Sequence, residues 1–373
     1  MKIETLAIHA ANHTDGSTSA VIQPIVLSTT FERDFDGGYN KGFSYSRAGN
    51  PNRQALETVL AKLEGGVAAA AFSSGNAAGM AVFQSLKPGT HIIAPDDMYH
   101  GLRNQLKLLF EGILEFDFVD VNDEATLQAH IKPNTGLIWL ETPSNPLLKI
   151  TDIKEVVQAA RKHSIKVACD NTFASPIGQQ PLALGADLVM HSTTKYMGGH
   201  SDLTGGALIT AQDNDWWQRI LQVQQMGGAI PAPTDCYWLV RSIKTLPYRI
   251  RGHVNNAQLL AQYLQQHPKV EQVLYPGLPS HPQHELAKAQ MHNFGGMLSF
   301  LVKGGADAAE QVLNHTQLFT SATSLGGVES LIERRAAIEG PDTKTPQNLL
   351  RVSVGLEHID DLIEDMEAAL ATV

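Results

Sequence analysis

The fold is decided by residues 137–170, which read LIWLETPSNPLLKITDIKEVVQAARKHSIKVACD. Two short apolar runs, at 137–140 and 166–169, flank a segment at 153–160 whose apolar residues recur at helical spacing. A strand, a crossover helix and a second strand of this length form a parallel pair. Ligands of parallel α/β sheets bind at the carboxyl ends of the strands. We therefore expect the loop at 141–146 and Asp170 to lie at one edge of a sheet.

The same alternation continues on both sides of this unit. Further apolar runs at 67–72, 91–94, 188–190 and 207–210 predict strands. Short apolar strands that alternate with amphipathic helices are typical of a mostly parallel sheet covered on both faces. The sequence therefore predicts an α/β fold.

The first 50 residues are predicted to lack the alternating strands and helices of this region. Residues 1–50 show no sustained period, so we expect an irregular N-terminal arm that is either disordered or docked on a neighbouring subunit. Regular structure is predicted to begin with a helix at Asn50 and Pro51, which are good residues for a helix start. This helix is predicted to end at Gly65 and Gly66.

The last third of the chain predicts a second unit. A helix near 254–265, a strand at 297–302 and a closing helix at 359–370 are typical of a smaller α+β domain. We therefore expect a large domain at 51–248 and a small C-terminal domain at 249–373.

The composition excludes several classes of protein. Hydrophobic residues make up 43% of the 373 residues and charged residues 18%, which is usual for a soluble globular protein. A net charge of -10 argues against a nucleic-acid partner. Two cysteines cannot build a disulfide framework or a thiolate metal cluster, and no run approaches the length of a membrane span. We expect a cytoplasmic protein with no metal and no membrane contact.

Well-known cofactor and catalytic motifs are missing from the sequence. It contains no GxGxxG, no Walker A motif and no GxSxG. His284 and Glu285 begin like a zinc-protease helix, but Lys288 stands where the second histidine should be.

Polar groups follow several of the predicted strands. Ser74 and Gly75 open a helix after one strand, Asp170 ends another, and Lys195 follows a third within a Ser/Thr-rich loop. Taken singly, these residues are more often a helix cap, a turn residue and a solvated lysine. Together they supply what pyridoxal 5'-phosphate (PLP) needs: N–H groups for its phosphate, a carboxylate for its pyridine nitrogen and an amine for its aldehyde.

At these residues the chain resembles the Cys/Met metabolism PLP enzymes, which include cystathionine γ-synthase and the cystathionine and methionine lyases. The likeness covers nearly the whole chain. The matching motifs, in chain order, are YSR at 45–47, GNP at 49–51, SSG at 73–75, DDMY at 96–99, ETPSNP at 141–146, DNT at 170–172, STTKY at 192–196, KTL at 244–246, PGL at 276–278, SLGG at 324–327 and RVSVG at 351–355.

The resemblance implies the PLP-dependent transferase fold type I and a set of cofactor contacts. Lys195 would hold the cofactor as a Schiff base and shuttle protons, Asp170 would pair with the pyridine nitrogen, and Tyr99 would stack on the ring and take part in catalysis. The other implied cofactor-binding residues are Gly75, Asn76, Thr172, Ser192 and Thr194, together with Tyr45 and Arg47. The family usually has Met in place of Asn76, but a backbone contact would survive that change.

The resemblance also implies a substrate and an assembly. Arg351 would bind the α-carboxylate of a small amino-acid substrate, with Asn145 and Ser324 nearby. Tyr45 and Arg47 would reach into the site of the neighbouring subunit, in a homotetramer built as a dimer of dimers.

Several positions depart from the family pattern. Relatives that handle cystathionine often carry an acidic residue at the positions of Ser44 and Thr323, so strong selectivity for cystathionine is in doubt. His100 and Arg103, together with the sequence ERR at 333–335, add positive charge near the expected entrance. That charge could favour an acidic acyl group such as succinate, or an arginine could form an outer salt bridge with Glu333.

The reaction class is left with alternatives. We expect elimination or replacement at the γ-carbon, of the cystathionine γ-synthase or γ-lyase type. A cystathionine β-lyase, a methionine γ-lyase or an O-acylhomoserine sulfhydrylase is the second interpretation. A fold-type-I aminotransferase is the third. A PLP-binding protein without activity is the fourth, but it would be expected to lose Lys195, Asp170 or Arg351.

Overall fold

The computed structural model describes residues 1–12, 14–339 and 343–373. The helices are Ile3–His9 (α1), Pro51–Glu64 (α2), Gly75–Ser85 (α3), His100–Leu109 (α4), Glu124–His130 (α5), Ile153–Arg161 (α6), Ser175–Gly178 (α7), Asp215–Gly227 (α8), Pro233–Ile243 (α9), Leu246–Gln266 (α10), His284–Gln290 (α11), Gly305–His315 (α12), Ala336–Glu339 (α13) and Ile359–Leu370 (α14). The strands are Ala68–Phe72 (β1), His91–Pro95 (β2), Glu115–Val119 (β3), Thr135–Glu141 (β4), Lys166–Asp170 (β5), Leu188–His191 (β6), Gly206–Thr210 (β7), Val270–Leu274 (β8), Met297–Val302 (β9), Thr320–Ser321 (β10), Leu331–Arg334 (β11) and Leu349–Ser353 (β12).

The first sheet has the order β1-β7-β6-β5-β4-β2-β3. Strands β2 to β6 pair in parallel, and only β7 runs against its neighbours β6 and β1. The predicted unit at 137–170 is present as β4, α6 and β5, with Glu141 directly opposite Asp170. Since β1 runs antiparallel to β7, it shares the direction of the parallel strands. The loops after β1, β4, β5 and β6 therefore open at one edge, and the predicted α/β fold is confirmed.

Local sequence explains where α2 begins and ends. The Asn50 side chain accepts hydrogen bonds from the backbone N–H groups of Asn52 and Arg53, and Pro51 is the first helical residue. Gly65 ends the helix in the left-handed conformation at φ 71°, which a residue without a side chain adopts freely. The predicted helix is confirmed at both ends.

The second sheet has the order β10-β11-β12-β9-β8 and is largely antiparallel. Helices α10, α12 and α14 pack on it around a core of its own. The predicted strand at 297–302 and the predicted closing helix at 359–370 are both found. The division at 248/249 stays a prediction, and α10 runs through that point as one helix.

Two expectations need correction. The arm at 1–50 is not irregular throughout, because α1 packs on α2 and α10 of its own chain and the Lys62 ammonium donates a hydrogen bond to the Ala10 carbonyl. The helix expected near 254–265 begins at Leu246, because Arg249 and His253 are buried and hide the apolar repeat. No helix in the described ranges is both long enough and apolar enough to cross a lipid bilayer.

Candidate active site

A cavity of about 330 Å³ opens where the strand ends of the first sheet meet the second sheet. Most of the predicted site residues line it. These residues are Gly75, Asn76, Tyr99, Asn145, Asp170, Thr172, Ser192, Thr194, Lys195, Ser324 and Arg351. One side, here called the sheet-edge wall, is formed by Gly75, Asp170, Thr172, Ser192 and Lys195. The opposite side, here called the arginine wall, is formed by Asn145, Ser324, Arg335 and Arg351, and the buried Glu333 pairs with both arginines.

The amino end of α3 forms one end of the sheet-edge wall. The Ser74 side chain caps the helix by accepting from the Ala77 N–H at 3.1 Å. The N–H groups of Gly75 and Asn76 have no acceptor within the described part of the chain. A side chain at position 75 would place its Cβ 2.8 Å from the Ser192 Cβ, so the glycine lets the two segments approach. Free N–H groups at a helix start make this end suited to an anion such as a phosphate.

A chain of hydrogen bonds fixes Asp170 at the other end of this wall. The Ser192 N–H donates to the Thr172 hydroxyl at 2.9 Å, and that hydroxyl donates to Asp170 Oδ1 at 2.5 Å. The Thr172 N–H donates to the same oxygen at 3.0 Å. Oδ2 of Asp170 accepts no hydrogen bond from the residues that the structure describes. Burial raises the pKa of the Asp170 carboxyl despite the two bonds from Thr172 and the charge of Lys195, which act in the opposite direction.

Lys195 supplies the amine of the cavity. Its Nζ donates to the Ser324 hydroxyl at 2.8 Å. Burial lowers the pKa of the Lys195 ammonium to about 8, and the positive charges of Arg351 and Arg335 act in the same direction. A lysine with this pKa is partly neutral near pH 7, so it can attack a carbonyl carbon and accept a proton.

Tyr99 projects from the start of α4, and its surroundings hold it firmly. Its backbone N–H donates to Glu141 Oε2 at 2.7 Å, and its ring meets the His100 ring edge-on at 4.8 Å between centroids. A Cβ at position 101 would lie 2.5 Å from the Tyr99 ring, so Gly101 leaves room for it. The ring is therefore fixed at the cavity wall, where it could cover one face of a planar ligand.

Arg351 dominates the arginine wall. It lies in β12 opposite Glu333 of β11, and Glu333 Oε2 is 2.7 Å from its Nη2. Its Nη1 donates to Asn145 Oδ1 at 3.1 Å and its Nη2 to the Ser324 carbonyl at 3.0 Å. Its Nε is buried and has no acceptor within the described residues. Burial lowers the pKa of Arg351 to about 10, which leaves it charged at neutral pH. A guanidinium fixed in this way, with a donor to spare, is suited to bind a carboxylate.

The positive charge expected near the entrance is only partly there. Arg335 lines the cavity, but Arg103 does not, because its guanidinium packs 4.7 Å from the Phe118 ring and its Nη1 donates to the Asp96 carbonyl. The salt bridge between Arg335 and Glu333, at 3.2 Å, is buried rather than outer. The sequence pointed to the charge of 333–335 as a group but singled out neither Arg335 nor Glu141, which also lines the cavity.

Two predicted residues lie outside the cavity. Tyr45 is half exposed, and Arg47 donates from Nη1 to the Gln225 carbonyl at 2.6 Å. Their implied contact with a neighbouring subunit stays a prediction. Of the two positions where an acidic residue is missing, Thr323 lines the cavity and Ser44 does not.

The residues that are present fit PLP. The N–H groups of Gly75 and Asn76 at the start of α3 fit its phosphate, and Oδ2 of Asp170 fits a pyridinium N–H. The partly neutral amine of Lys195 fits its aldehyde. The three groups line one cavity, as the cofactor requires.

Comparison with known proteins gives consistent results. The family model for "Cys/Met metabolism PLP-dependent enzyme" matches residues 4–371. A cystathionine γ-synthase of Mycobacterium leprae is 48% identical over 375 residues, which cover 99% of this chain and 96% of that protein. A cystathionine β-lyase of Coxiella burnetii is 43% identical over 382 residues, which cover 99% of this chain and 97% of that protein. The crystal structure of metB from Corynebacterium glutamicum superposes with a TM-score of 0.97 at 43% identity, covering 100% of this chain and 98% of that one.

Proposed function

This chain belongs to the Cys/Met metabolism PLP-dependent enzyme family, and we propose that it replaces the γ-substituent of an O-acylhomoserine by a thiol. The family membership makes it a PLP-dependent enzyme of elimination or replacement on sulfur amino acids and their precursors. The choice of γ-replacement, the acyl donor and the role of each residue are proposals.

The residues of the cavity divide the work of such a reaction. When bound, PLP supplies an electron sink that makes protons on the substrate's α-carbon acidic. Arg351 binds the α-carboxylate and so fixes which bond of the α-carbon faces Lys195. Lys195 then accepts the proton from the α-carbon and moves a second proton at the β-carbon, as loss of a γ-substituent requires. Ser324 holds the Lys195 amine in place through its hydroxyl.

The contacts of the cofactor are proposed from the same geometry. Gly75, Asn76, Ser192 and Thr194 would hold its phosphate at the start of α3. Asp170, fixed by Thr172, would pair with its pyridine nitrogen. Tyr99 would cover its ring.

One observation favours an O-acylhomoserine as the substrate. The arginine wall presents Arg335 beside Arg351 at the cavity. It therefore suits a substrate that carries negative charge beyond its α-carboxylate.

We further propose that the site is completed by a second copy of the chain, within a homotetramer. The arm exposes large apolar side chains, and Val21, Leu27 and Phe35 are 72%, 66% and 110% exposed. Such a surface is expected to be covered in the assembled protein. Tyr45 and Arg47 on the same arm would then reach the neighbour's cavity. Light scattering after size-exclusion chromatography tests the number of copies. The expected cytoplasmic location also remains a proposal, which cell fractionation tests.

The test of the reaction is a product assay on the purified holoenzyme. Each of O-succinyl-L-homoserine, O-acetyl-L-homoserine, L-cystathionine and L-methionine is incubated with and without L-cysteine, and thioethers and keto acids are identified by mass spectrometry. We expect cystathionine to form from an O-acylhomoserine and cysteine. Formation of 2-oxobutyrate or pyruvate from cystathionine, with no thioether from any ester, would show a lyase and contradict the proposal. Accumulation of pyridoxamine phosphate would show an aminotransferase.

A further inference from the structure

The arginine wall contains a second guanidinium, and the proposed function does not name the group that it binds. Arg351 accounts for the α-carboxylate of the substrate, whereas Arg335 also lines the cavity and is only 2% exposed. A buried charge is costly to desolvate, so its presence at a cavity wall needs a physical reason.

Three neighbours hold the Arg335 side chain from different sides. Its Nε donates to Glu339 Oε1 at 3.0 Å, its Nη1 to Glu333 Oε2 at 3.2 Å and its Nη2 to His100 Nδ1 at 2.7 Å. A guanidinium has five N–H donors. One N–H on each terminal nitrogen therefore has no acceptor within the described ranges of the chain. The group is fixed in orientation and still has donors available.

The two guanidiniums of the arginine wall balance the charges of Glu333 and Glu339 but keep N–H donors without an acceptor among the described residues. Glu333 Oε2 serves both Arg335 and Arg351, and its Oε1 is buried without a hydrogen-bond donor among the described residues. One fully buried carboxylate is thus shared by two guanidiniums, in a geometry that is not the bidentate pairing an isolated Arg–Glu bridge adopts. Glu339, the other acidic neighbour, is more exposed. The arginine wall can therefore accept anionic groups from a ligand.

We propose that Arg335 is a specificity-determining residue that binds a second carboxylate, carried by the departing acyl group of the substrate. This inference rests on the proposed function, since it assumes an O-acylhomoserine. It means that the enzyme prefers O-acylhomoserines whose acyl group carries a free carboxylate, such as succinyl, to those whose acyl group is uncharged, such as acetyl. Arg351 and Arg335 would then bind the two ends of one substrate.

His100 acts as a positioning residue in this arrangement. Its Nδ1 accepts from Arg335, so that nitrogen carries no proton, and its ring also packs edge-on against Tyr99. Burial, followed by the charge of Arg335, lowers the pKa of His100, which keeps the acceptor nitrogen free at neutral pH. His100 therefore contacts both Arg335, which it orients, and the ring of Tyr99.

Kinetics with two esters test the proposal. The quantity to compare is the ratio of kcat/KM for O-succinyl-L-homoserine to kcat/KM for O-acetyl-L-homoserine. We expect this ratio to fall about 10- to 100-fold in Arg335→Gln, mainly through KM for the succinyl ester, because one charged hydrogen-bonding partner is lost. Arg335→Lys, which keeps a positive charge, should restore part of the ratio. Equal losses for both esters, or an unchanged ratio, would overturn the proposal.

A matched control lies next to it in the sequence. Arg334 is adjacent to Arg335 but pairs with Glu310 at 2.8 Å, outside the cavity. Arg334→Gln removes the same charge from the same segment and should leave the ratio as it is in the unaltered enzyme. A fall of the ratio in this variant as large as in Arg335→Gln would point to net charge alone and would overturn the assignment.

A binding measurement separates this inference from the proposed reaction. The probes are 4-(succinyloxy)butanoate and 4-acetoxybutanoate, which lack the amino group and cannot react, and their Kd values for the holoenzyme are measured by calorimetry. We expect the dicarboxylate to bind about 10-fold more tightly, and this advantage to vanish in Arg335→Gln. If the enzyme processes no ester, the proposed function fails, but the two Kd values still decide the role of Arg335. Equal Kd values in the unaltered holoenzyme would refute it.

Should Arg335→Gln not fold, His100→Ala gives a second approach. It leaves Arg335 in the chain and removes only the acceptor that aims it. We expect a smaller fall of the succinyl-to-acetyl ratio, about 3- to 10-fold. In His100→Gln the side-chain oxygen can accept the same hydrogen bond, and the ratio should recover. A ratio that is unchanged in His100→Ala would contradict the positioning role.

Discussion

The sheet-edge wall and the arginine wall of the cavity hold their polar groups in different ways. Backbone N–H groups at the start of α3, the Thr172 hydroxyl and a single amine at Lys195 make up most of the first. The second depends on buried ions, with Glu333 between Arg335 and Arg351. Groups fixed by the backbone depend on fold alone, whereas groups fixed by ion pairs depend on every partner being present. The first wall is thus suited to a cofactor that never changes, and the second to a substrate that differs between relatives.

The largest expected effect tests the sheet-edge wall. Lys195→Ala removes the amine that is proposed to accept a proton there, so we expect kcat to fall roughly 10²- to 10⁴-fold. The measurement is product formation at saturating substrate, with Lys162→Ala, an exposed lysine at the end of α6, as the control. Activity within tenfold of that control would mean that Lys195 is not the base.

A somewhat smaller effect is expected on the arginine wall. Arg351→Gln removes the proposed charged partner of the α-carboxylate and also leaves Glu333 with one cation fewer. We expect kcat/KM to fall about 100-fold, mostly through KM, since a hydrogen bond to a charged group contributes about 1.5–3 kcal/mol. Steady-state kinetics measure both constants. If kcat alone fell and KM stayed constant, Arg351 would act in the chemical step rather than in substrate binding.

The smallest of the three effects is a pH dependence of cofactor attachment, because the arginine wall influences the pKa of Lys195 on the sheet-edge wall. The pKa of Lys195 is lowered to about 8 by burial and by the two arginines, and only the neutral amine can bond to the cofactor aldehyde. The rate of cofactor attachment to the cofactor-free protein should therefore rise about tenfold per pH unit up to about pH 8 and then level off. Absorbance after rapid mixing with PLP follows this rate.

The arginine wall enters this pH profile through its charge. In Arg351→Gln the plateau should begin at a higher pH, because one positive charge no longer disfavours the ammonium form of Lys195. A rate in the unaltered protein that kept rising to pH 10 would show that Lys195 titrates like a solvent-exposed lysine.

The sequence predicts the sheet-edge wall well and the arginine wall poorly, and the reason is physical. Asp170 and the start of α3 follow strands and caps that are local in the chain, so periodicity and capping residues locate them. Arg335 directly follows β11, and the pairing of β11 with β12 brings it and Arg351 to the same carboxylate, Glu333. No local pattern reveals which face of those strands points into a cavity. Without the family resemblance, Arg351 would have been placed at the surface, whereas it is 4% exposed.

Helices that carry apolar residues on exposed faces could also not be predicted from the sequence. The pattern gave no prediction for α8 or α9, where exposed apolar residues such as Met226 and Trp238 blur the amphipathic repeat. In α1, seven residues are too few to display a period, so contacts with α2 decide its structure. In each case tertiary packing, which a single sequence does not show, overrides the local signal.

The close approach of Gly206 to the Ser74 carbonyl limits how this cavity can be re-engineered. A Cβ at position 206 would collide with that oxygen, and one at position 75 would collide with Ser192. Directed evolution toward new substrates should therefore keep both glycines fixed and diversify positions such as Thr323 on the far side. Most members of a library that randomises position 75 would carry a side chain that collides with Ser192.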